Sequence, residues 1–187
     1  MAAIVICVAE ELTVLTLMPL CEHVDAREGS METARMNRLT VVALVAVVTV
    51  LMMVQVPLDL RTHRLSRGAT TWAAVAVAFV VAVDAWASGA FAPAVVSVMA
   101  AVVVVGVYWL LHLVSPRSLG WGDVLLVAPL TLAVAYVAVE CVLWWQLVAA
   151  TTGAVHAVWV RVRSGSSHVP FGPHLLVAAW LTLVASV

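Results

Sequence analysis

Six apolar runs, each about long enough to cross a bilayer as helix, occupy most of this chain after residue 39. They cover residues 40–58, 70–88, 93–114, 124–139, 141–160 and 169–187. A hydrocarbon core of ~30 Å takes roughly 17 to 25 helical residues, and its interior offers no water to backbone groups left unpaired. The expected fold class is therefore all-α, a polytopic integral membrane protein with about six transmembrane helices. Composition agrees, with 65% hydrophobic residues, 10% charged residues and a mean hydropathy of +1.13. The fourth run is the shortest and contains Pro129, which a membrane helix tolerates where neighbours satisfy the freed carbonyl.

Residues 1–38 stand apart as an N-terminal extension. Glu10 and Glu11 interrupt its first apolar stretch, so it fits neither a secretory signal nor a spanning helix. Glu22, Asp25, Arg27, Glu28, Glu32 and Arg35 then read as a solvated or disordered segment, and Met31 and Met36 are alternative starts. Residues 39–187 form the transmembrane domain.

All nine basic residues are arginine, and their placement sets the orientation. Arg61, Arg64 and Arg67 follow the first run, Arg117 the third, and Arg161 and Arg163 the fifth, whereas the connections after the second and fourth hold none. By the positive-inside rule the arginine-bearing connections are cytoplasmic. Trp72, Trp86, Trp144, Trp145 and Trp159 fall near span ends, as an interfacial aromatic belt would.

Four acids lie in or beside the spans. Asp59 ends the first and Asp123 opens the fourth, both at the cytoplasmic side. Asp84 is about 21 Å along the second span, and Glu140 about 25 Å from Asp123, so both read as solvated outer-interface groups. Two carboxyls at one depth cannot both ionise, and such a pair can do acid and base work together. Gly120 and Gly122, ahead of Asp123, allow a tight turn and close approach of an extended substrate. Gln55, one turn before Asp59, is placed to support it by a hydrogen bond.

Cys7, Cys21 and Cys141 are scattered with no C-x-x-C pair and read as apolar thiols. Nothing in the spacing of His112, His156 and His174 demands a metal. No cofactor, metal or nucleic-acid partner is expected.

Three segments carry a family resemblance. Asp59 with Leu60, Arg61, Thr62, His63, Arg64 and Leu65 resembles the first aspartate motif of type IV prepilin peptidases, and Gly120, Trp121, Gly122, Asp123 and Val124 resemble their G-x-G-D motif. Val169, Pro170, Phe171, Gly172 and Pro173 are similar to the segment opening the last helix of that family. The resemblance covers residues 39–187. It implies a polytopic aspartic peptidase, akin to presenilin-type G-x-G-D proteases, that cuts the short basic leader from prepilins or pseudopilins at the cytoplasmic face of the inner (plasma) membrane. Asp59 and Asp123 would be the catalytic dyad, with Gly120, Gly122, Pro170, Phe171 and Gly172 supporting the site. The implied partners are a prepilin substrate and membrane lipid.

Two positions depart from the pattern. Where many members have proline after the first motif and lysine two residues after the G-x-G-D aspartate, this chain has Ser66 and Leu125. The second exchange removes a positive charge near the dyad. The chain lacks the cysteine-rich methyltransferase region of longer members and so resembles the short, peptidase-only form used with Flp-type pilins. The alternative readings are a small transporter or proton-relay subunit, because intramembrane acids also mark ion pathways, and a catalytically inactive homologue acting in pilus assembly.

Overall fold

The computed structural model describes residues 38–62, 66–114, 120–164 and 171–187, less the side chains of residues 59–62 and 164. The expectation for residues 1–38 therefore falls almost wholly outside the described residues. All regular structure among the described residues is helical: α1 (Arg38–Thr62), α2 (Arg67–Ser88), α3 (Phe91–Val114), α4 (Trp121–Val137), α5 (Cys141–Ser164) and α6 (Gly172–Val184).

The all-α polytopic expectation holds, with one difference in length. Four helices, α1, α2, α3 and α5, are long and apolar enough to cross a membrane. The other two have 17 residues (α4) and 13 residues (α6). At about 1.5 Å per residue these measure ~26 Å and ~20 Å, short of a full hydrocarbon core. Packing accounts for this, because α4 is the centre of the bundle and meets little lipid. Eleven of its residues are buried, from Asp123 and Val124 to Ala135 and Tyr136, whereas only 11% of the apolar window of α3 is buried.

Helical spacing makes the core. Val41, Leu44, Val48, Leu51 and Gln55 form one buried stripe on α1, and Thr70, Ala73, Val77, Val81 and Ala85 form another on α2. Both stripes follow the three-to-four-residue period of a helix face. From α6, Leu175, Leu176 and Ala179 close the core against α4 and α1. The outward faces carry Phe79, Phe91, Met99 and Leu143, all exposed. Such a surface suits hydrocarbon, where large apolar patches have no cost.

Polar side chains fix how the helices align. Asp84, near the end of α2, accepts hydrogen bonds from Thr40 Oγ1 at 2.5 Å and Tyr136 Oη at 2.6 Å. The start of α1 and the ends of α2 and α4 therefore share one end of the bundle. Asp84 is half-buried and fully engaged, which corrects its reading as a solvated interfacial acid; Glu140, exposed in the turn after α4, fits that reading. Trp145 is also corrected. It is 1% exposed, a core residue rather than part of an interfacial belt, whereas Trp72 and Trp86 are 75% and 81% exposed. Cys141 is disulfide-bonded, which corrects its reading as a free thiol. Sequence spacing alone gives no measure of how closely two cysteines approach.

Candidate active site

Because α1, α2 and α4 are clasped together at Asp84, the opposite ends of α1 and α4 also share one end of the bundle. Those ends carry Asp59 and Asp123. The first span was expected to stop at Leu58, but α1 continues through Pro57 and Asp59 to Thr62. Asp59 therefore belongs to the closing turns of a helix. Its backbone stands four residues beyond Gln55, in register with the buried stripe of α1. The side chain of Asp59 and all of Pro170 lie outside the described residues.

Asp123 is the third residue of α4 and 8% exposed. Its Oδ2 accepts the Gly120 N–H at 3.2 Å, and its own N–H donates to the Gly120 carbonyl at 3.0 Å. The two residues thus close a reciprocal cap at a helix start, where orphan N–H groups and the helix dipole favour negative charge. Gly120 has φ −71° and ψ 145°, a conformation open to any residue. A Cβ there would stand 3.3 Å from Asp123 Oδ2, so a side chain at 120 would require the carboxylate to give by a few tenths of an ångström. Gly122 lies half-buried in the first turn of α4. Behind Asp123, Pro129 has no N–H to return to the Leu125 carbonyl, so α4 lacks one internal bond two residues beyond the acid.

The third motif is seated by its neighbours. Phe171 and Gly172 open α6, and the Phe171 ring occupies the space beside Gly153 of α5. A Cβ on Gly153 would come within 2.6 Å of Phe171 Cε2. One turn into α6, His174 Nε2 meets His156 Nδ1 of α5 at 2.9 Å, a second tie between the same two helices. Trp180 Nε1 donates to Thr49 Oγ1 of α1 at 2.8 Å, which sets α6 against α1. Among the described residues no three His, Cys, Asp or Glu side chains converge on a metal site.

Several polar positions were legible only as exceptions within apolar runs. The Tyr108 hydroxyl of α3 donates to Gln146 Oε1 of α5 at 2.6 Å. The Asp59 side chain expected to bond Gln55 lies outside the described residues; the Gln55 amide turns towards the start of α2. Its Oε1 accepts the Ser66 N–H at 2.9 Å, while its Nε2 donates to the Ser66 carbonyl at 2.9 Å and to Thr70 Oγ1 at 2.8 Å.

Comparison with known proteins places this arrangement. The profile of the type IV leader peptidase family matches residues 37–158, a segment holding both aspartates, all of α1 to α4 and most of α5. The prepilin leader peptidase/N-methyltransferase of Dichelobacter nodosus is 35% identical over 88 residues, covering 42% of this chain and 26% of that protein. The chain thus spans about a quarter of the length of that curated relative. No solved structure matches it significantly. With its two aspartate motifs brought to one end of a helical membrane bundle, the chain belongs to the type IV leader peptidase family.

Proposed function

We propose that the protein is an aspartic endopeptidase that removes the leader of a prepilin or pseudopilin at the cytoplasmic face of the inner membrane, with Asp59 and Asp123 as its dyad. The observation that carries this reading is the shared end of α1 and α4, which follows from the clasp of Thr40 and Tyr136 on Asp84. The chemistry needs one carboxylate and one carboxylic acid. The ionised member takes a proton from water as its oxygen attacks the scissile carbonyl, and the protonated member donates to the carbonyl oxygen as that gains charge. Collapse of the tetrahedral intermediate breaks the C–N bond and delivers a proton to the leaving amine. Gly120, with no side chain, leaves room beside the Asp123 carboxylate for an extended peptide, and Phe171 seats the start of α6 against α5.

The arginine-bearing connections after α1, α3 and α5 support a cytoplasmic site. A proton-relay reading draws nothing from Asp84, whose carboxylate is taken up by two hydroxyls near the end of the bundle. The test is co-expression with a small pilin encoded beside the gene, following the pilin's mass. Loss of the leader with the unmodified chain and retention with Asp123→Asn supports the reading. Retention with both, for every neighbouring pilin, overturns it.

A further inference from the structure

The mechanism above leaves Gln55 unused, yet it is one of the largest fully buried side chains in the bundle, at 0% exposure. Its amide and the start of α2 form a closed set of hydrogen bonds. Ser66 N–H and carbonyl are both engaged, Thr70 Oγ1 receives the second Nε2 proton, and the Thr70 hydroxyl donates to the same Ser66 carbonyl at 3.2 Å. In a low-dielectric interior such a satisfied set is strong and specific, and a half-satisfied one is costly.

What the amide joins matters more than its strength. Gln55 and Ser66 are eleven positions apart in sequence, so the amide ties the last turns of α1, which carry Asp59, to the start of α2. In those last turns α1 is weakened at one point, because Pro57 returns no hydrogen bond to the Met53 carbonyl. Packing along the α1 stripe fixes the chain up to Gln55, and the N-cap of α2 fixes it from Ser66 onwards. The amide is the bond that holds these two anchors in register.

We propose that Gln55 is a positioning residue for the dyad. By clasping the Ser66 peptide it ties down the last turns of α1, which carry Asp59, and sets the place of that aspartate relative to Asp123. The inference rests on the peptidase reading for its catalytic meaning. It also explains Ser66, where the family resemblance led to an expectation of proline. A proline there has no N–H to give, and its Cδ would stand where that N–H now meets Oε1. Gln55 and a proline at 66 therefore exclude one another. The Ser66 backbone, at φ −72°, would otherwise accept the ring.

The experiment compares Gln55→Leu, Ser66→Pro, their double variant and Ser66→Ala in the full chain. Leader cleavage is measured across pH after each variant's level in the membrane has been matched. Gln55→Leu is expected to lower kcat about tenfold or more with KM nearly unchanged, because misplacement of about 1 Å can cost on the order of a hundredfold. It also displaces the pH profile, since carboxyls at a different separation couple differently. Ser66→Pro should match it, and the double variant should be no worse than the worse single, the signature of one shared contact. Ser66→Ala keeps the N–H and loses only the hydroxyl that accepts from Ala69 N–H, so it should keep the pH profile and most of the kcat that Ser66→Pro loses. An unchanged kcat and pH profile in Gln55→Leu overturns the proposal, as do multiplicative losses in the double.

A second readout does not depend on cleavage. Asp59→Cys with Asp123→Cys, in a chain also carrying Cys7→Ala, Cys21→Ala and Cys141→Ala, should cross-link readily with Gln55 present and several-fold more slowly with Gln55→Leu. Equal rates overturn the positioning role. Absence of cross-linking with Gln55 present overturns both this role and the dyad. Altered cross-linking, where the unmodified chain with both aspartates cuts no pilin, keeps the positioning role and rejects the peptidase reading.

Discussion

The ring of Phe171 fills the space that a side chain on Gly153 would take, with Cε2 and Cδ2 lying 2.6 and 2.7 Å from where a Cβ would stand. Glycine at 153 is therefore a requirement of the third motif, although the two are 18 residues apart in sequence and on different helices. Gly153→Ala should move the ring and cost about 1–3 kcal/mol by overpacking. The check is the thermal midpoint in detergent together with leader cleavage. Phe171→Leu in the same chain should recover part of the midpoint, and a Gly153→Ala protein unchanged in both measurements would reject the fit described here.

Asp59→Asn and Asp123→Asn should each leave the protein in the membrane and lower cleavage by roughly 10²–10⁴-fold, the usual worth of a positioned acid or base. Immunoblotting of membranes and pilin mass are the two readouts. A single variant with full activity rules out the dyad.

Asp84 is expected to behave differently although it too is an acid within a span. Tyr136→Phe removes one of its two hydroxyl donors and should lower stability by about 1–3 kcal/mol, the range for hydrogen bonds to a charged group. Cleavage should persist at a reduced level. Complete loss of cleavage with normal stability would instead place Asp84 in the chemistry.

Trp180→Phe deletes the bond to Thr49 Oγ1 but keeps an aromatic ring. Interhelical hydrogen bonds in membranes average only about 0.6 kcal/mol, so the midpoint should fall far less than for Gly153→Ala. A loss of comparable size would mean that α6 depends on this bond for its seat against α1.

Orientation has its own test. A reporter fused after Arg163 should read as cytoplasmic and one fused after Glu140 as external. An external signal after Arg163 overturns the arginine argument and moves the dyad to the other face.

Much of this was legible in the chain itself, and the pattern of what was not is physical. Apolar length located the helices because bilayer thickness constrains it directly, and α4 and α6 fell short because buried helices escape that constraint. Asp123 was legible because an acid beginning an apolar run has few reasons to be there. Its reciprocal cap with Gly120 was not, since the spacing suggests a tight turn and close approach of substrate but does not show the carboxylate returning to the Gly120 N–H. Gln55 was recognised as functional in character, but its partner was sought one turn away on α1. Long-range partners such as Ser66, or Tyr136 for Asp84, depend on which helix faces which, and no local period encodes that.

The clasp on Asp84 also acts as a lever. Tyr136 and Asp123 lie thirteen residues apart on α4, so the hydroxyl joint stands ~20 Å from the carboxylate along the helix. A tilt of about 5° at that joint would sweep Asp123 through nearly 2 Å, more than the ~1 Å misplacement that already erodes catalysis. On the proposed mechanism, the placement of Asp123 against Asp59 is therefore set in part at the opposite end of the bundle, by the hydroxyls of Thr40 and Tyr136.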